Sequence, residues 1–248
     1  MIYKLKNFRR LFIMRNDLTE VVFILDRSGS MSGLEADTIG GFNSMIQKQK
    51  QEEGEAYIST VLFDDESEVI YDRVPVAKIE QMTENQYYTR GCTALLDAIG
   101  GAIRHIANVH KYARGEDRPA KTLFVITTDG MENASKIYSY KKIKSMIEYR
   151  KEKNGWEFIF LGANIDAIAT ASRFGISANR AMNYHSDHRG TRLNYRFLAK
   201  TVSGLRRAES PAEFDDVMED ACFEIKKDYE SRSVGEDDWT DIDLIDEK

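Results

Sequence analysis

Short runs of β-branched and aromatic residues alternate with segments of helical periodicity along most of the chain, and this alternation limits the fold more than any other feature. Val21 to Leu25 is an uninterrupted apolar run that stops at Asp26, as expected of a strand buried on both faces. Leu34, Ile39, Phe42, Met45 and Ile46 then recur at near-helical spacing, and Gly40 and Gly41 inside that helix predict close packing against the sheet. Tyr57 to Phe63 and Glu68 to Val74 are two strands joined by a link too short for a helical crossover, so they should pair antiparallel. Leu95 to Val109 reads as a helix, Leu123 to Thr127 as a strand, Tyr140 to Ile147 as a helix and Trp156 to Leu161 as a strand. A helix over Ile165 to Phe174, a short strand near Ala181 to Tyr184 and a helix through Leu193 to Leu205 complete the pattern. The expectation is a Rossmann-like, doubly wound α/β fold: a mostly parallel six-stranded sheet with one antiparallel edge strand, flanked by helices.

Four segments are read along the chain. Residues 1–13 are a basic extension holding Lys4, Lys6, Arg9 and Arg10, with charges interrupting every apolar stretch, so the apolar core of a secretory signal is missing. Residues 14–207 form the α/β domain, with Met14 as its expected start. Residues 208–235 form an appended helix, because Ser210, Pro211 and Glu213 make a capping box with proline at the first helical position. Residues 236–248 hold seven acids against Lys248 and lack periodicity, so a solvated tail is expected. Trp239, Ile242, Leu244 and Ile245 among those acids also fit a docking peptide, which admits self-association through the tail.

The net charge of −6 argues against a nucleic-acid binder that relies on overall positive charge. No apolar run approaches the roughly 20 residues that span a bilayer, so no membrane span is expected. The two cysteines, Cys92 and Cys222, are too few for a disulfide framework or a cysteine zinc cluster, and a reducing, cytoplasmic setting fits best.

Three segments carry oxygen-bearing side chains close to strand ends or helix starts: Asp26-Arg27-Ser28-Gly29-Ser30, Arg90-Gly91-Cys92-Thr93, and Thr127-Thr128-Asp129-Gly130. In an open α/β sheet such segments meet at the carboxyl ends of the strands, where ligands bind. Two carboxylates and three hydroxyls are hard oxygen donors that suit Mg2+, with Mn2+ as a second choice.

This set resembles the metal-ion-dependent adhesion site (MIDAS) of the von Willebrand factor type A (VWA) family. The family's Asp-x-Ser-x-Ser, distant Thr and later Asp stand here as Asp26, Ser28, Ser30, Thr93 and Asp129, over a resemblance that covers about residues 20–207. The flanking text is similar to stand-alone intracellular or phage-borne members more than to secreted ones. The resemblance implies that Ser28, Ser30 and sometimes Thr93 touch the metal, while Asp26 and Asp129 act directly or through water. It further implies a non-enzymatic module whose metal takes an Asp or Glu carboxylate from a partner protein. The competing expectation is a Mg2+-dependent hydrolase or phosphoryl-transfer enzyme using the same strand-end site. Against it, position 28 is Ser where a phosphatase-like Asp-x-Asp would need a second acid, and no Gly-rich phosphate loop with Lys follows a strand.

Other polar groups have ordinary readings. Cys92 reads as a packed thiol, and His105 and His110 as surface or satisfied positions on a helix. His185, Asp187 and His188 read as a polar loop, Asp64, Asp65, Glu66 and Glu68 as a surface hairpin tip, and Lys136, Lys141, Lys142 and Lys144 as a solvated face.

Overall fold

The computed structural model describes residues 15–233. The basic extension over 1–13, the expected start at Met14 and the acidic segment 236–248 lie outside the described residues. Six strands, β1 (Arg15–Asp26), β2 (Glu55–Phe63), β3 (Ser67–Pro75), β4 (Pro119–Thr128), β5 (Glu157–Gly162) and β6 (Ala181–Asn183), form one sheet in the order β3-β2-β1-β4-β5-β6. β3 pairs antiparallel with β2 at one edge, and all other pairs are parallel. The expected architecture is thus present: a mixed six-stranded sheet with a single antiparallel strand, covered by helices.

The central strand shows why. Val21, Phe23 and Leu25 face one apolar cluster and Val22 and Ile24 the other, so a continuous apolar run buries both of its sides. Helices α1 (Glu35–Gln49), α5 (His188–Arg207) and α6 (Pro211–Ser233) contribute Phe42, Leu198 and Phe214 to the first cluster. Helices α2 (Leu95–Tyr112), α3 (Tyr140–Asn154) and α4 (Ala167–Arg173) contribute Ile99, Ile143 and Ala171 to the second.

Three details depart from the sequence reading. A Cβ built on Gly41 would lie 2.3 Å from the Tyr195 ring, so that glycine serves the α1–α5 crossing rather than contact with the sheet. β1 extends further back than the apolar run because the polar Thr19 and Glu20 are also buried; Glu20 accepts from Arg73 Nε at 2.8 Å and lies 2.5 Å from His110 Nε2. At α6 the capping box is shifted: Glu213 N–H donates to Ser210 Oγ at 3.2 Å, but Glu213 Oε2 accepts from Glu209 N–H at 2.7 Å, one residue before the cap.

α5 carries six arginines and lysines and no acid, whereas α6 carries eight acids. The two helices therefore attract, and Lys200 Nζ lies 2.9 Å from Glu224 while Arg189 Nε lies 2.7 Å from Asp228. Among the described residues no helix is long and apolar enough to cross a membrane.

Candidate metal site

The strand order reverses at β1, which continues to β2 on one side and receives β4 on the other, so a crevice opens where β1 and β4 end. Asp26 is the last residue of β1 and Asp129 follows β4 directly. Both are buried, and neither has an arginine, lysine or histidine against it among the described residues.

Hydroxyls and amides fill that role. Ser28 N–H donates to Asp26 Oδ1 at 2.7 Å and Thr128 Oγ1 to Asp26 Oδ2 at 2.5 Å. Ser30 Oγ donates to Asp129 Oδ1, and the Ser28 and Ser30 hydroxyls lie 3.0 Å apart. Ser186 Oγ, from the loop before α5, donates to Asp129 Oδ2 at 3.1 Å. Thr93 joins from the far side: a Cβ built on Gly130 would stand 3.2 Å from Ser30 Oγ and 3.3 Å from Thr93 Oγ1, so a side chain there would crowd both hydroxyls.

All five expected residues are therefore brought to one crevice. Asp26 and Ser28 lie at its floor and Ser30 at its solvent side. Burial pushes the Asp26 carboxyl up to about 6, and hydrogen bonds from Thr128 and Ser28 only partly oppose it. Burial raises Asp129 as well, against the bonds from Ser30 and Ser186. Two desolvated carboxylates linked through Ser28 and Ser30, with no cationic side chain near them among the described residues, form a donor set whose charge is unmet there. That chemistry fits a hard divalent cation.

The loops are held by a framework that sequence reasoning read differently. Arg27 is fully buried, donating from Nε to Asp64 at 2.7 Å and from Nη1 to Glu68 at 2.6 Å, and Arg90 Nε reaches the same Asp64 oxygen at 2.8 Å. Asp64 is thus no surface tip: it is buried at the centre of a clamp between the first and second loops. Its carboxyl is pushed up by burial, but the bonds from Arg90, the Glu66 amide and Arg27 together hold it below the usual carboxylate range. Asp65 Oδ1 accepts from Cys92 N–H at 2.7 Å, and Gly91, at φ +67°, leaves the room that Asp65 needs. Cys92 is exposed rather than packed, and both its backbone N–H and its thiol turn to Asp65.

Glu132, Asn133 and Ser135 were not singled out in the sequence. Asn133 Oδ1 accepts from Thr93 N–H at 2.9 Å and Asn133 N–H donates back to the Thr93 carbonyl at 3.1 Å. Glu132 Oε2 and Ser135 Oγ accept from the first-turn amides of Leu96 and Asp97 at 2.9 and 3.0 Å. The third loop therefore caps α2 from a distance and fixes Thr93, which lies just before that helix. The Asp-Gly-x-Glu-Asn-x-Ser run was visible, but nothing local marks it as a cap for a helix that precedes it in the chain.

The histidines stay outside the crevice. His185 stacks on Tyr229 with ring centroids 4.8 Å apart, His188 contacts Asp37, and Asp187 caps α5 by accepting from Gly190 N–H at 2.7 Å. Among the described residues no three His, Cys, Asp or Glu side chains cluster as a ligand set.

No family model and no curated protein matches the chain. Solved structures do. The vWF domain of the type V pili tip protein Mfa5 from Porphyromonas gingivalis matches at 12% identity and TM-score 0.56, over 78% of this chain and 98% of that one. A variant of the PilB minor pilin from Streptococcus sanguinis matches at 12% identity and TM-score 0.54, over 78% of this chain. Proximal thread matrix protein 1 from the mussel byssus matches at 13% identity and TM-score 0.50, over 75% of this chain. This chain spans 63% of the pilin and 46% of the thread protein. Sheet order, edge strand and neighbours agree on the architecture: the chain has the von Willebrand factor type A fold.

Proposed function

We propose that the chain is a metal-ion-dependent protein-binding module, in which Asp26, Ser28, Ser30, Thr93 and Asp129 hold Mg2+, or Mn2+ in its place, and a partner protein contributes an Asp or Glu carboxylate. The observation that carries this reading is the pair of buried carboxylates, Asp26 and Asp129, joined through Ser28 and Ser30 and lacking a cationic side chain among the described residues. When bound, the cation supplies a Lewis-acidic position that takes an anionic oxygen. The protein's own residues do the rest. Neutral hydroxyls of Ser28, Ser30 and Thr93 satisfy geometry without cancelling charge, which preserves the demand for an external carboxylate. Arg27, Asp64 and Asn133 hold the three loops in place before a ligand arrives, so little ordering cost falls on binding. Ser30 and exposed Met131 stand at the mouth, where a partner has access.

Affinity capture in Mg2+ and in EDTA tests this reading. Partner capture should require Mg2+ and disappear in Asp26→Ala and Asp129→Ala, with unchanged circular dichroism. Full capture in EDTA or in both variants contradicts it. Mg2+-dependent release of phosphate from a generic phosphoester, lost in Asp26→Ala, would instead make the same crevice catalytic.

A further inference from the structure

We propose that the rim of the metal crevice over residues 131–142 is a docking surface for an acidic segment of a partner protein. That segment sets one carboxylate on the metal, an apolar side chain on Ile137 and further carboxylates on Lys136, Lys141 and Lys142; this rests on the metal-site reading above.

The chain between β4 and α3 is pinned repeatedly as it leaves Asp129. Asn133 is tied to Thr93, and Glu132 and Ser135 to the first-turn amides of α2. Asp97 then takes three successive amides: Oδ2 accepts from Lys136 N–H at 2.8 Å, and Oδ1 from Ile137 N–H at 2.9 Å and Tyr138 N–H at 2.8 Å. Tyr138 closes over α2, where a Cβ built on Gly100 would stand 2.6 Å from its ring. Asp97 lies in the first turn of α2, four residues after Thr93. Lys136 and Ile137 are therefore held on the same rim as the Thr93 hydroxyl, with the backbone fixed and both side chains exposed.

Ile137 is 78% exposed, and Met131, next to Gly130, is 74% exposed. A single exposed apolar residue is ordinary. Two on one anchored loop beside a ligand crevice make a preorganised contact, because covering them orders almost nothing on this side.

Charge identifies the partner. Lys136, Lys141 and Lys142 are exposed, and among the described residues none of them ion-pairs with a carboxylate. Neighbouring Lys144 reaches Glu148 only at 3.9 Å. Lys141 and Lys142 also stand in the first turn of α3, which holds no acid and where the helix dipole disfavours cations. The sequence reads these lysines as a solvated face, but their place works against the helix they start, and an acidic partner relieves that. The crevice beside them takes a carboxylate once metal is bound, so one extended stretch with several acids meets both features. Attraction of this kind speeds encounter and fixes register.

Selection from a random dodecapeptide library displayed on phage, with the full-length chain as bait in Mg2+, tests the proposal. Enriched peptides should carry one fixed Asp or Glu, with an apolar residue and further acids to one side of it. Against the triple variant Lys136→Glu, Lys141→Glu, Lys142→Glu, the fixed acid should persist and the further acids vanish. For the most enriched peptide, fluorescence anisotropy should show Kd raised about tenfold by the triple variant and about fivefold by Ile137→Ala, the first effect shrinking in about 0.5 M salt. Both variants should bind Mg2+ calorimetrically as the wild type does, and the triple variant should melt no lower. Mg2+ binding without enrichment, or with a fixed acid lacking apolar and acidic neighbours, overturns the docking surface and leaves the metal site standing. Binding of the chain to phosphatidylserine vesicles in EDTA, lost in the triple variant, assigns the patch to a membrane and overturns it. Mg2+-dependent dimers dissolved by Ile137→Ala assign it to a second copy and overturn it as well. Absence of Mg2+ binding by the wild type removes the metal site and the docking surface together.

Discussion

Asp26 and Asp129 are expensive residues in a metal-free fold, since each is desolvated and neither meets a cationic side chain among the described residues. Asp129→Asn keeps an acceptor for Ser30 and turns a donor to Ser186. In EDTA at neutral pH it should raise unfolding stability by about 1 kcal/mol, read as a higher urea midpoint, while losing all response to Mg2+. A lower midpoint would mean that the carboxylate is not under strain. Gly130→Ala places a methyl 3.2 Å from Ser30 Oγ and 3.3 Å from Thr93 Oγ1, and should weaken Mg2+ binding about tenfold, as misplaced ligands do, with little change in melting temperature. The five residues were legible because their types and order stand in the sequence. Ser186 and Thr128, which hold the carboxylates, were not: each is a common hydroxyl whose role appears only when chain segments far apart in sequence meet. Asp64 misled for the same reason, since a charged residue reads as solvent-exposed until its buried partner, here Arg27, is known.

The strands and helices were read well where their faces are apolar and poorly where burial depends on pairing. β1 was found from Val21 to Leu25, and its start was missed because Glu20 is buried only by virtue of Arg73 and His110. Gly41 announced a close contact but not its partner; Gly41→Ala drives a methyl into Tyr195 and should cost about 2 kcal/mol in chemical denaturation, within the range for overpacking. The Asp187–Arg232 pair fastens α6 to the loop beside the site. Burial pushes Asp187 up, but the Arg232 and Gly190 N–H bonds with the Arg232 charge outweigh it and hold it low. A carboxyl lowered on folding contributes stability above its unfolded value near 3.9 and loses it as pH falls through the folded value. Amide protection over the last turn of α6 should therefore persist at pH 5 and drop below about pH 4, and Asp187→Asn should remove that dependence. An unchanged profile in the variant would place the fastening elsewhere.

At the scale of the whole molecule, a well-packed α/β body presents a crevice of unmet negative charge at the end of its sheet. The framework around it, from Arg27 to Asn133, is complete without a ligand, so occupancy should stabilise the fold without rebuilding it. At a Mg2+ concentration about 100 times its dissociation constant, the gain in unfolding free energy should be about 2.7 kcal/mol. Calorimetric titration of Mg2+ into the wild type and Asp129→Asn in the same buffer tests the central claim most directly. The account predicts one saturable site per chain in the wild type and none in the variant; no saturable binding to the wild type, or equal binding to both, would contradict it.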